Sequence, residues 1–162
     1  GNICRSPTAE AVMFRMADDA GLSDLLEIDS AGTSAERAGA PPDRRAVAEA
    51  DRRGLDLRSQ RARRIRPGDW DRFDLLLVAD DPVERALLRQ APPGADLSKV
   101  RRMTAFGPDA GTSADVPDPY YSGEEAFEVG LPSTTSGPCT ASQGTTCSGL
   151  RRAGCRGGRR PG

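Results

Sequence analysis

The chain has 162 residues, enough for one domain with a buried core, and carries a net charge of −1. Only 36% of its residues are hydrophobic and 4% aromatic, so the core is lean, and the near-neutral charge gives no sign of a nucleic-acid partner. No apolar run reaches the ~18 residues of a membrane span, and the cysteines at 4, 139, 147 and 155 match no zinc spacing, so reduced thiols in a cytoplasmic protein are expected.

Gly1-Asn2-Ile3-Cys4-Arg5-Ser6-Pro7 comes first. Gly and Asn tolerate positive φ and suit a tight loop whose amides point inward. Ser6 as cap and Pro7 in the first turn predict a helix. Val12, Met13, Met16, Ala17 and Ala20 recur at helical spacing, and Gly21 stops it. The helix brings its positive end to the loop. The planar fork of Arg5 matches two oxygens of a phosphate. Together these features predict a cradle for a tetrahedral dianion. It is not the nucleotide P-loop, because no Gly-Lys-Ser/Thr is present.

Residues 27–31 read as a short strand. Pro41-Pro42-Asp43 opens a second helix with Ala46, Val47 and Ala50 inward and Gly54 as its stop. Trp70, the sole tryptophan, reads as packing under a loop, and Arg61, Arg63, Arg64 and Arg66 as a solvated face. The apolar run 73–79 predicts a strand buried on both faces. Asp81-Pro82 starts a helix through Leu88, residues 99–103 suggest a further strand, and residues 123–129 begin a last helix with an acidic first turn. Alternating strands and helices predict an α/β fold: a doubly wound parallel sheet with helices on both faces.

After residue 130 this pattern stops. Residues 131–162 have no hydrophobic period and hold five arginines and no acid, which leaves 18 basic against 24 acidic residues, net −6, in the rest. Two readings stand for residues 131–162: a disordered tail, since too little apolar surface is available to offset ordering entropy, or a frame-shifted segment.

A second motif, Val116-Pro117-Asp118-Pro119-Tyr120-Tyr121, makes the first one specific. With Asp29-Ser30-Ala31-Gly32, Pro41-Pro42-Asp43, Ala62-Arg63 and Phe73-Asp74 between them, residues 1–130 resemble the low-molecular-weight protein tyrosine phosphatase family, whose pattern is Cys-x-Gly-Asn-Ile-Cys-Arg-Ser with Asp-Pro-Tyr-Tyr far downstream. The resemblance implies a flavodoxin-like fold and hydrolysis of phosphotyrosine through a phosphocysteine, with no metal or other cofactor. The implied substrates are phosphotyrosine proteins or small aryl phosphates, with neither nucleic acid nor membrane as partner. It makes Arg5 and Asp118 catalytic: Arg5 holds the phosphoryl oxygens, and Asp118 protonates the leaving phenolate and then helps water attack. Gly1, Asn2, Ile3, Cys4, Arg5 and Ser6 bind the phosphoryl group, and Tyr120 and Tyr121 wall the slot. Asn2 with Ser30 braces the loop, Ser6 supports the leaving thiolate, and Cys4 sits beside the nucleophile as a disulfide partner.

The same pattern puts the nucleophilic cysteine two residues before Gly1, so the chain is expected to be an inactive fragment without that cysteine and without the first strand. Glu36 stands where the family usually has an aromatic wall, and Gln60 where a histidine often braces the loop. Three alternatives share these residues: a pseudophosphatase that binds phosphate without cleaving it, a same-fold arginine phosphatase, which typically has threonine at the place of Ile3, and an arsenate reductase, which needs a further cysteine pair.

Overall fold

Helix α1 (Arg5–Asp19) begins two residues earlier than its capping signal suggests. In the computed structural model, which describes residues 1–106 and 115–121, Cys4 holds the cap position and no side chain caps the helix. Ser6 lies inside the first turn, because its hydroxyl is engaged by the amide of Asn2 at 3.0 Å and is not free to turn back on the helix. The stop is as expected: Gly21 takes φ +68°. The inward face differs. Pro7, Ala11 and Ala17 are buried, whereas Met13 is 39% and Met16 60% exposed. The apolar period alone does not fix the rotation of this helix; small residues do, because they permit close approach to α2.

Helix α2 (Arg44–Arg52) is capped by Asp43, whose carboxylate accepts from the Arg45 amide at 2.8 Å, and is followed by Gly54 at φ +71°. Its Ala46 and Ala50 meet α1 in a cluster with Cys4, Ala11, Leu55 and Leu57, and Val47 packs half-buried against it.

A second cluster gathers Trp70 from the short α3 (Asp69–Arg72), Leu76 and Val78 from β1 (Leu76–Val78), Leu87 from α4 (Asp81–Leu88) and Val100 from β2 (Val100–Arg102). The packing role read for Trp70 holds, since only 2% of it is exposed. The two strands run parallel, with Leu76 opposite Val100 and Val78 opposite Arg102. Helix α4 makes the crossover between them, as a parallel pair requires. Lys99, the only lysine of the chain, donates from Nζ to the carbonyls of Trp70 (2.8 Å) and Phe73 (3.1 Å) and so satisfies the end of α3.

Two strand expectations need correction. The run 73–79 is not buried on both faces: three residues form the strand, they alternate buried and half-buried, and Leu75 is 44% exposed. The Trp70 cluster covers one face of the pleat, which sends Leu75 and Leu77 to the other. Residues 27–31 form no ladder; an isolated parallel bridge joins Gly32 to Arg64. Here the Asp29 side chain takes the Ser30 amide at 2.8 Å, a local bond that replaces a ladder bond.

Among the described residues the sheet is this parallel pair with helices, and the wider doubly wound arrangement is not seen there. Among them, too, no helix is long and apolar enough to cross a membrane. The helix expected over 123–129 and the segment 131–162 lie outside the described residues.

Candidate active site

The site forms where β1 ends, the place at which parallel sheets collect ligands. After Val78 the chain passes through Ala79 to Asp80, and the carboxylate of Asp80 has two tasks. One oxygen caps α4 by accepting from the Val83 amide at 2.7 Å; the other accepts from Arg5 Nη1 at 2.6 Å. Arg5 Nη1 also donates to the Val116 carbonyl at 2.9 Å, and Nη2 lies 3.2 Å from Asp118 Oδ2. The segment 115–118 is itself moored to the end of β1 by the Val116 amide, which donates to the Ala79 carbonyl at 2.8 Å. Arg5 and Asp118, 113 positions apart in the sequence, are thus brought into one ion pair.

Asn2 holds the loop in shape. It is buried and takes φ 57°, a left-handed conformation that Asn accepts more readily than most residues. Its Nδ2 donates to Ser6 Oγ (3.0 Å) and Ser30 Oγ (2.9 Å), and its Oδ1 accepts from the Arg63 amide (2.9 Å). Gly32 must stay small: a Cβ there would stand 3.2 Å from both the Cβ and the amide nitrogen of Asn2. Glu10 accepts a hydrogen bond from Ser30, and burial pushes its carboxyl pKa up. Asn2→Ala is expected to lower stability by about 2–4 kcal/mol, from lost hydrogen bonds plus left-handed strain. Asn2→Gly should recover about 1 kcal/mol of that by relieving the strain alone; denaturant midpoints of the two variants check the split.

Cys4 packs in the α1–α2 cluster with 7% of its surface exposed. Burial pushes its thiol up to about 12, and the carboxylates of Asp43 and Asp118 push in the same direction. It is a free cysteine. At neutral pH it is a thiol and not a thiolate, so it is a packed apolar group here and a poor nucleophile.

The remaining residues singled out from the sequence fall as follows. Gly1 is exposed at the mouth of the loop, and Ile3 packs half-buried on the Cys4 cluster while its carbonyl accepts from the Asp43 amide at 2.8 Å. Tyr120 is half-buried: Arg45 lies over its ring at 5.7 Å and Arg37 Nη2 donates to its hydroxyl at 2.9 Å. Tyr121 closes a short 3₁₀ turn with Pro119 and Tyr120; its side chain lies outside what is described. Glu36 is exposed on the loop after Gly32, and no aromatic ring occupies that position. Gln60 Nε2 donates to the Pro7 carbonyl at 3.0 Å, bracing the start of α1, while its Oε1 has no protein partner among the described residues. The arginines at 61–66 are not all solvated: Arg63 is tied to Asp29 and Asp69, both at 2.8 Å.

Sequence reasoning missed Asp80, Arg37 and the Asp43–Arg45 pair, whose guanidinium hydrogen-bonds and holds the Asp43 carboxyl below its ordinary pKa. A signal for Asp80 exists: it is the first acid after the strand, at the sheet end where ligands gather, and it precedes an Asp-Pro helix start. Nothing in the sequence marks Arg37 among the chain's many arginines.

Chemically, the arrangement offers a helix start that no side chain caps, a braced loop, a guanidinium aimed by a fixed carboxylate, and a second carboxylate that is 41% exposed. An anion arriving at Arg5 meets Asp118 as the partner able to yield, because Asp80 is held at both oxygens. A family model described as "Low molecular weight phosphotyrosine protein phosphatase" matches residues 1–131. A "Low molecular weight protein-tyrosine-phosphatase" of Streptomyces coelicolor is 46% identical over 131 residues, covering 79% of this chain and 78% of that protein. Among solved structures, a protein tyrosine phosphatase from Entamoeba histolytica with Hepes in its active site superposes with a TM-score of 0.73 at 34% identity, over 80% of this chain and 82% of that one. Wzb of Vibrio vulnificus in complex with benzylphosphonate gives 0.67 at 31% identity, over 80% and 83%.

Proposed function

The chain belongs to the low molecular weight phosphotyrosine protein phosphatase family, and from that premise we propose that it serves the hydrolysis of phosphotyrosine in proteins, and of small aryl phosphates, through a phosphocysteine. The observation that carries this reading is the placement of Arg5, fixed by Asp80 and the Val116 carbonyl, within 3.2 Å of Asp118 at the start of α1. The benzylphosphonate held by the Vibrio relative is the aryl-phosphate shape such a site accepts.

In the first step a cysteine thiolate attacks phosphorus. The bond from phosphorus to the phenolic oxygen breaks, and Asp118 gives that oxygen its proton. In the second, Asp118 takes a proton from water, the water oxygen attacks phosphorus, and the sulfur–phosphorus bond breaks to release phosphate and the thiolate. Arg5 and the loop amides from Gly1 to Ser6 hold the three phosphoryl oxygens through both steps. Ser6 supports the thiolate, and Tyr120 and Tyr121 wall the ring. The family pattern puts the attacking cysteine two residues before Gly1. Cys4 does not replace it, being buried with its thiol near 12. The reading includes a doubly wound flavodoxin-like sheet, a phosphatase domain over residues 1–130, and a reducing, cytoplasmic setting that suits the free Cys4.

A polypeptide of these 162 residues is therefore expected to gain thermal stability from millimolar phosphate and to leave p-nitrophenyl phosphate uncleaved. The same polypeptide extended to place a cysteine two positions before Gly1 should turn the ester over, with a loss of about 10²–10⁴-fold on Asp118→Ala. Turnover that survives Asp118→Ala, or that depends on Cys4, overturns the assignment.

A further inference from the structure

Arg37 has no role in the chemistry above, yet it overhangs it. Its Cγ lies 3.4 Å from where a Cβ on Gly1 would stand, so its aliphatic stem runs beside the first residue of the loop. Its guanidinium reaches across to the Tyr120 hydroxyl at 2.9 Å. The neighbouring charges are already committed. Arg5 faces Asp80 and Asp118, and Arg45 is paired with Asp43 at 3.1 Å. No described carboxylate pairs with Arg37, which is exposed, and of its five N–H donors one is used by Tyr120. Among the described residues the rim of the site thus carries an un-neutralised planar cation, held at two points, next to Glu36, which stands in place of an aromatic wall.

Accepting the phosphotyrosine reading of the site, we propose that Arg37 is a specificity-determining residue that recognises a carboxylate next to the phosphotyrosine of the substrate, so that acidic flanking residues are preferred. Both pins favour this. The stem beside Gly1 and the bond to Tyr120 limit the rotamers of the guanidinium, which lowers the entropy lost when a substrate carboxylate accepts from its free edge. Glu36, the adjacent residue, opposes the preference by repulsion, which sets the control.

The test is peptide binding to the 162-residue chain, measured by fluorescence polarisation at two salt concentrations. Three ligands are used: phenyl phosphate, a phosphotyrosyl peptide with Glu on both sides of the phosphotyrosine, and the same peptide with Gln. The Glu peptide is expected to bind about fivefold more tightly than the Gln peptide, the ceiling for an exposed ion pair, and the ratio should shrink in high salt. Arg37→Met, which keeps the stem, should bring the ratio to one, and Glu36→Gln should raise it. Equal binding of the two peptides by the unaltered chain, or a ratio that Arg37→Met leaves in place, overturns the proposal. Failure of phenyl phosphate to compete with either peptide sinks the phosphotyrosine reading on which it rests, and the two failures are distinguishable.

Discussion

Arg5→Lys is expected to weaken phosphate binding by about 10–100-fold while leaving the thermal midpoint of the free protein nearly unchanged. The reasoning is geometric. Arg5 uses its two Nη atoms on three partners: Asp80, the Val116 carbonyl and Asp118. A lysine keeps the positive charge that Asp80 requires, so the half-buried carboxylate is not stranded. It cannot keep the fork, and a dianion needs two parallel donors at fixed spacing. Arg5→Met should behave differently, losing both phosphate binding and stability, because the side chain of Asp80, 13% exposed, is then left without its cation while still capping α4. Calorimetric titration with phosphate, alongside thermal melts of both variants, separates the two effects. Unaltered phosphate affinity in Arg5→Lys would sink the cradle.

A large stability effect is expected from Leu57→Ala in the core, a loss of about 3 kcal/mol within the 2–5 range for buried Leu. Leu57 is wholly buried in the cluster that joins α1 to α2, where three of its five buried companions are alanine. Alanine neighbours have no side-chain freedom with which to fill a void, so the cavity stays open and the cost stays high. Trp70, in the other cluster, supplies the readout. If the two clusters unfold as one unit, Trp70 fluorescence and far-UV circular dichroism give coincident transitions, both shifted by Leu57→Ala. A shifted dichroism transition with unmoved fluorescence would mean that the clusters melt separately.

Sequence pattern and structure agree best where local chemistry alone decides the outcome. Helix α4 was legible from Asp81-Pro82, and α2 from Asp43 and Gly54, because caps and stops act within a few residues. The strands were less legible. Three residues of the run 73–79 pair with β2, and only one face of them is covered, which depends on where Trp70 and Leu87 end up. Residues 27–31 read as a short strand, but Asp29 and Ser30 are spent on Arg63 and Asn2. At the site, the loop and the Asp118 segment could each be read as a motif. Their meeting through Arg5 is a tertiary fact, and Asp80 and Arg37 enter only through it.

The fold also decides what lysine chemistry can see. With 162 residues and a single lysine, the chain offers one side-chain amine to acylating reagents, and Lys99 holds it between two backbone carbonyls. Acylation needs the amine released from both carbonyls, and that requires α3 and β2 to part at this corner. The rate at which Lys99 is acylated therefore measures how often that corner of the protein opens, a clock for local unfolding written into the molecule by its near-exclusive use of arginine.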